Sequence, residues 1–196
     1  MKFKNKEEVR QYIWRKIEPF CNFPSPYGRI PNFKDAKKAC EKVRELEEYR
    51  NAECVFSAPD SVLLRLREIV LEDQKTLLAV LPRMKGFVVL REKVKPTIEN
   101  LKLGKVANLK ELREKVGIFA QGCVAVDLNG FRIGKGSGFG DKEFEILKKE
   151  GVLAKDVLFV VVAHDLQVFN DLSYLMEEHD VKADVILTPT RVIRVK

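Results

Sequence analysis

Arg132, Lys135 and Asp141 stand among four alternating glycines, Gly134, Gly136, Gly138 and Gly140, in the stretch Gly130–Asp141, which reads GFRIGKGSGFGD. Side chains of these types at this spacing are suited to holding a phosphate chain. Glycines let backbone N–H groups approach an anion with no Cβ in the way. A helix that starts where the stretch ends adds unpaired N–H groups and the positive end of its dipole. Arg132 can grip a phosphate with two parallel hydrogen bonds, and Lys135 brings a second fixed charge, so these two are the candidate catalytic residues. Asp141 alone would repel a phosphate, so its position points to a bridging Mg2+ that it holds. Ser137 and Phe139 complete the candidate phosphate-binding set.

Two familiar phosphate motifs are excluded. A Walker A loop needs four residues between its first glycine and its Gly-Lys, followed by Ser or Thr. Here three residues separate Gly130 from Gly134-Lys135, and Gly136 follows. The dinucleotide fingerprint fails because its third glycine falls at Phe139. The alternative for the stretch is a glycine-rich turn or bulge without a ligand.

The neighbouring segments set the stage for this loop. An apolar run, Ile118–Val126, precedes it and has strand composition. Asp141–Glu150 follows as a short helix with Phe144, Ile146 and Leu147 inward, closed by Gly151. The next strand, Val157–Ala163, is rich in Val without alternation, as a strand buried on both faces is. The order strand, glycine loop, helix, strand is the setting in which such loops bind phosphates.

Earlier in the chain, Asn5 can cap a helix with Glu8 in the capping-box position; Val9, Tyr12, Ile13 and Ile17 share a face, and Pro19 ends it. Phe20–Phe33 is an irregular, aromatic loop punctuated by Pro24, Pro26, Gly28 and Pro31. A helix is expected over Asp35–Arg50 and a strand over Cys54–Ser57. Another helix starts at Pro59-Asp60-Ser61 with Asp60 as its cap. Leu77–Leu81 and Phe87–Leu90 read as strands, with Pro82-Arg83 just past a carboxyl end, and a helix is expected around Leu109–Lys115. His164-Asp165 ends the Val-rich strand, and His179-Asp180 is either an acid–base pair or an ordered turn. The alternation of helices and apolar strands predicts a three-layer α/β/α sandwich with a mainly parallel sheet, expected as a single domain over residues 1–196.

At the glycine stretch the chain resembles the 5-formyltetrahydrofolate cyclo-ligases, also called methenyltetrahydrofolate synthetases. Their pattern is Ala-Phe-Asp, a turn, then Gly-x-Arg-Leu-Gly-x-Gly-x-Gly-Tyr-Tyr-Asp. Here Ala125-Val126-Asp127 precedes Gly130-Phe131-Arg132-Ile133-Gly134-Lys135-Gly136-Ser137-Gly138-Phe139-Gly140-Asp141, so Phe139 and Gly140 replace the two tyrosines. Lys6-Glu7-Glu8-Val9-Arg10 resembles the family's opening Lys-x-x-Leu-Arg, and Arg29–Lys34 resembles the divergent branch named for a methenyltetrahydrofolate synthetase domain. Lys75–Pro82, Gln167 and the closing Asp184–Ile193 resemble further family patterns. The resemblance implies a fold related to ribose-5-phosphate isomerase and coenzyme A transferases. It also implies ATP and Mg2+ as cofactors, and phosphate contacts from Lys6 and Arg10 as well as Arg132 and Lys135. On their own, Lys6 and Arg10 read first as a solvated helix face. One departure matters: after Cys54–Ser57 the family carries Glu-x-Asp-Thr, whose glutamate holds the pterin ring, and this chain has Ser57-Ala58-Pro59-Asp60-Ser61.

Composition bounds the rest. With 45% hydrophobic and 33% charged residues the chain is ordinary for a globular protein. No run approaches the roughly 20 apolar residues of a membrane span, and the opening Met1–Glu8 has no apolar signal-peptide core, so a cytoplasmic protein off the membrane is expected. The net charge of +7 suits an anionic ligand, RNA included, or a lysine-rich surface. Cys21, Cys40, Cys54 and Cys123 form no Cys-x-x-Cys pair and are expected as buried free thiols. No serine-hydrolase elbow or zinc-peptidase motif is present. The leading reading is an ATP- and Mg2+-dependent cyclo-ligase acting on 5-formyltetrahydrofolate, as monomer or homodimer. The alternatives are a nucleotide- or RNA-binding relative that lost cyclo-ligation, and ATP-dependent activation of another small substrate.

Overall fold

The computed structural model describes residues 2–178 and 180–195, so His179 of the His179-Asp180 pair lies outside the described residues. In chain order the elements are α1 (Lys6–Ile17), α2 (Ala36–Glu41), α3 (Glu47–Asn51), β1 (Cys54–Ser57), α4 (Leu64–Glu72), β2 (Thr76–Val80), β3 (Phe87–Leu90) and β4 (Lys105–Val106). Then come β5 (Val116–Gly122), β6 (Ala125–Asp127), β7 (Arg132–Ile133), α5 (Phe139–Lys149), β8 (Leu153–Val162), β9 (Val168–Phe169), β10 (Val185–Leu187) and β11 (Val192–Arg194).

Eight strands form one sheet in the order β11-β10-β8-β5-β1-β2-β3-β4. The five strands from β10 to β2 run parallel; β11 and β3 are antiparallel to their inner neighbours, and β4 to β3. Every residue of β1 and β2 is buried, as unalternating apolar runs require of strands covered on both faces. Successive residues point to opposite sides, and the core divides accordingly. Val55, Leu77, Ile118 and Val160 pack with residues of α1 to α4, such as Ile13, Ala39, Tyr49 and Ile69. Phe56, Leu78, Phe119 and Phe159 pack with Leu147 of α5. Phe56 stacks on Phe119 with ring centroids 4.6 Å apart, and Phe159 meets Phe119 edge-on at 4.9 Å. The result is the α/β/α sandwich with a mainly parallel sheet expected from the sequence.

Four local expectations are corrected. The run Ile118–Val126 is not one strand: β5 ends at Gly122, and β6 belongs to a second, three-stranded sheet in the order β7-β6-β9. Gln167 holds the break, donating from Nε2 to the carbonyls of Cys123 (2.7 Å) and Val124 (3.1 Å), which no ladder partner serves. The expected helix over Asp35–Arg50 is broken into α2, a 3-10 turn and α3, because Leu46 turns to an extended backbone and buries its side chain. Around Leu109–Lys115 only a 3-10 turn, Leu109–Glu111, forms. Asp60 sits at the cap position of a 3-10 turn, but its side chain makes no capping hydrogen bond. The cap at Asn5 holds, with Oδ1 accepting from the Glu8 amide at 2.9 Å, while Glu8 reaches back to the amide of Lys4. The four cysteines are free thiols; Cys21 is partly exposed and the other three are buried.

Candidate functional site

β2 and β5 flank β1 on opposite sides, so the path through the sheet reverses at β1. In open α/β sheets the crevice outside the carboxyl ends at such a point takes ligands. Here that crevice is a cleft of ≈ 650 Å³ lined by Arg132–Asp141, by Lys6 and Arg10 of α1, by Ala58–Ser61 beyond β1, and by Pro82 and Arg83 beyond β2.

The glycine stretch is suspended from the small sheet. β6 and β7 form an antiparallel hairpin in the register Ala125↔Ile133 and Val126↔Arg132. Buried Asp127 anchors it, accepting from the amides of Asn129 and Phe131 at 2.9 Å and of Leu172 at 2.7 Å. Gly130 turns the chain with φ +84°, and a Cβ there would collide with the Ala183 carbonyl. Arg132 therefore projects from a strand, not from a loop. Its Nη2 donates to Asp141 Oδ1 at 3.1 Å, its guanidinium lies over the Phe159 ring at 5.8 Å, and its buried Nε has no partner among the described residues.

Arg10 ties α1 to the start of the loop, donating from Nε to the Gly134 carbonyl at 2.8 Å. Gly136 (φ +107°) passes beside the Arg10 guanidinium, and Gly138 (φ +67°) is the left-handed residue from which α5 starts, two residues earlier than expected. Among the described residues no acceptor serves the amides of Lys135, Gly136 and Ser137. Unserved amides, a helix start and two guanidinium groups make this end of the cleft complementary to an anion. Lys6 lines the cleft but is held by Asp180, Nζ to Oδ2 at 2.7 Å. Its ammonium has further N–H donors beyond that bond. Lys135 and Ser137 are exposed, and Phe139 is partly exposed at the helix start.

Gly140 is where the loop meets the sheet. A Cβ at this position would lie 2.6 Å from Gln121 Oε1 and 2.7 Å from Arg132 Nη2. The space a side chain would need is thus filled by two cleft residues. Asp141, partly exposed in the first turn of α5, keeps one oxygen beyond its contact with Arg132. Among the described residues no group of three or more His, Cys, Asp or Glu forms a protein cage for a metal. Mg2+ ordinarily uses one or two carboxylates with substrate phosphates and water, so the lone Asp141 fits that ion beside a nucleotide.

Sequence reasoning places Lys6, Arg10, Arg132 and Gly134–Asp141 in the site, and the fold brings all of them to one cleft. It misses Gln121 and Glu143 and reads Asp60 as a cap. Glu143 is 4% exposed, and its Oε2 accepts from Gln121 Nε2 at 2.9 Å. Burial, then the neighbouring charge of Asp60, pushes its carboxyl from an ordinary 4.5 up to about 8, against the Gln121 hydrogen bond and the charges of Arg132 and Lys135. Burial also raises Asp60, opposed by Lys135, Arg67 and Arg132. Arg67 lies wholly buried beneath the segment after β1, donating to the carbonyls of Ala58 (2.8 Å), Pro96 (2.9 Å) and Asp60 (3.1 Å). Burial pulls its guanidinium down to about 10. The available signals are a glutamine inside an apolar run and a glutamate four residues from Leu147 on the inward helical stripe.

Residues 5–189 match the 5-formyltetrahydrofolate cyclo-ligase family. The methenyltetrahydrofolate synthase domain-containing protein of Homo sapiens is 34% identical over 203 residues, covering 96% of this chain and 53% of that protein. Its counterpart in Danio rerio is 35% identical with the same coverage. The chain thus spans about half the length of these curated relatives. The solution structure of Aquifex aeolicus 5,10-methenyltetrahydrofolate synthetase shares the fold, with a TM-score of 0.63 at 22% identity over 97% of this chain and 93% of that one. With the family match running from the cap of α1 to beyond β10, the chain belongs to the 5-formyltetrahydrofolate cyclo-ligase family.

Proposed function

We propose that the chain binds ATP with Mg2+ at the glycine stretch and uses it to activate a folate-like second substrate, as a cytoplasmic enzyme. The observation that carries this reading is convergence: residues far apart in sequence, Arg10 on α1 and Arg132–Asp141 on β7 and α5, meet in one cleft. Arg132 and Lys135 would neutralise the phosphates, the loop amides would orient them, and Lys6 would join through its further N–H donors. Mg2+ held by Asp141 would supply charge neutralisation between phosphate oxygens. In the family reaction ATP phosphorylates the formyl oxygen, the adjacent folate nitrogen attacks the formyl carbon, and phosphate leaves to give 5,10-methenyltetrahydrofolate. Catalysis would then lie chiefly in positioning and charge stabilisation.

The second substrate is where this chain departs from the family. The segment after β1 carries no glutamate; the Ser57 hydroxyl is turned onto the Ala58 carbonyl at 2.9 Å, and Ala58 is buried. A substrate donor buried without its partner costs about 1–3 kcal/mol, a factor of roughly 10–100. Turnover of 5-formyltetrahydrofolate is therefore expected to be weak beside a typical enzymic rate of about 10 per second. This departure also favours a second reading, a nucleotide-binding relative without cyclo-ligation. Calorimetric titration with ATP, with and without Mg2+, tests the first step, and absence of binding at millimolar ATP overturns both readings. Absorbance of methenyl product then separates them: no turnover with any formylated folate, despite ATP binding, leaves the second.

A further inference from the structure

We infer that the β4 edge of the eight-stranded sheet docks peripherally on an anionic lipid surface, setting Leu103 and Val106 among the headgroups while the lysines around them face the lipid phosphates.

The charge of the chain is segregated onto this edge. Residues 82–115 hold ten Lys and Arg against four Glu, and the rest of the chain holds 26 against 25 Asp and Glu, so one segment carries nearly all of the net +7. All ten of these cations are exposed. Arg91 pairs with Glu114 at 3.0 Å. Lys93, Lys95, Lys102, Lys105, Lys110 and Arg113 have no carboxylate or side-chain hydrogen-bond partner among the described residues. The helical layer shows the contrast: Arg44 is shared by Glu41, Glu72 and Asp73, and Arg65 by Glu41, Glu68 and Glu72.

Two aliphatic side chains stand bare among these cations: Val106 is 80% exposed and Leu103 is 66% exposed. Packing, not a slack loop, puts them there. Lys105 and Val106 pair with Val89 and Val88 of β3, Leu101 is buried, and a Cβ on Gly104 would lie 2.8 Å from Leu90 Cδ1. Lysines alone would serve to block pairing at an open sheet edge. Bare aliphatic groups among them suit a surface that is both apolar and anionic, and a bilayer interface is both. A second copy docked edge to edge would oppose the two sets of cations. A nucleic acid is gripped through stacking aromatics or a helix in a groove, whereas residues 82–115 expose no large aromatic ring and form no α-helix. Among the described residues no helix is long and apolar enough to cross a membrane, and the contact is peripheral.

The test is co-sedimentation of the full chain with sucrose-loaded vesicles of phosphatidylcholine, alone or with about one-third phosphatidylglycerol. The chain should pellet with the anionic vesicles, stay in solution with the neutral ones, and be largely released by about 0.5 M salt. Lys102→Glu with Lys105→Glu and, separately, Leu103→Ser with Val106→Ser should each weaken binding about tenfold or more. All four side chains are exposed and lie outside the cleft, so the variants should fold as the wild type does by circular dichroism. Failure to pellet with anionic vesicles at low salt overturns the proposal. Unchanged binding of the Leu103→Ser, Val106→Ser variant also overturns it, because the contact is then no more than the attraction of a basic surface for any anion. Tighter binding of poly(U) RNA than of anionic vesicles, abolished by the two lysine reversals, would reassign the edge to nucleic acid.

Discussion

Replacing Glu143 by glutamine should stabilise the ligand-free protein at alkaline pH and change little at acid pH. Burial and the charge of Asp60 move the Glu143 carboxyl from 4.5 to about 8 in the folded state. Between these values the folded chain keeps a proton that the unfolded chain has released. The folded state then binds more protons, so stability falls as pH rises. The penalty is absent below about 4.5, grows across the window and is complete above about 8. At about 1.4 kcal/mol per pH unit, that interval sets a ceiling of about 5 kcal/mol. Water entering the cleft as the carboxyl ionises lowers this, so a difference of about 2–4 kcal/mol is expected at full ionisation. The amide introduced by Glu143→Gln carries no charge and can still accept from Gln121, so the variant escapes the penalty. Urea unfolding followed by fluorescence of the single tryptophan, Trp14, which is buried on α1 and bonded to the Arg29 carbonyl, reports the global transition. The wild-type and variant midpoints should coincide near about pH 5 and separate near about pH 9, with the variant more stable. Parallel pH profiles across that range would refute the reasoning and place the Glu143 carboxyl in an aqueous setting.

Three further outcomes follow from the loop and its supports. Gly140→Ala should displace the ends of Gln121 and Arg132, which lie 2.6 and 2.7 Å from the new Cβ, and weaken ATP about tenfold in titration calorimetry while the protein stays folded. Arg132→Ala removes a charge-assisted contact, and a loss of about 1.5–3 kcal/mol in ATP binding is expected; unchanged affinity in a folded variant would remove Arg132 from the site. Asp127→Ala leaves three amides without their acceptor, and denaturant unfolding should show a loss of at least about 2–3 kcal/mol.

The parts of the fold legible in the sequence are those set by repetition. Val160–Val162 and Leu77–Val80 are apolar without alternation, and both form central strands buried on two faces. The glycine spacing likewise marks the loop, because positive φ at Gly136 and Gly138 favours glycine and the Gly140 backbone lies close against the ends of Gln121 and Arg132. What escapes is set by distant partners. Nothing near Cys123 and Val124 says that a glutamine about forty residues later takes their carbonyls and splits one apolar run between two sheets. Asp60 reads as a cap because its position after β1 suits one, and only the fold shows it beside Glu143. Arg10 depends on the same kind of information: its spacing suits a solvated helix face, and tertiary placement turns it onto Gly134.

The split between β5 and β6 has a mechanical consequence. The β6–β7 hairpin is joined to the eight-stranded sheet through a seam at Cys123-Val124, closed by the amide of Gln167, whose Oε1 in turn accepts from the His164 amide at 2.7 Å. Two units of unequal breadth therefore line one cleft. If the broad sheet bears most of the cooperative stability, the narrow one is expected to open at lower free energy. A ligand held across both couples the narrow unit to the rigidity of the broad one, so tightness of grip and global stability can drift independently as sequences change. Amide exchange in β6 and β7 that slows far more than in β5 when nucleotide is added would register that coupling.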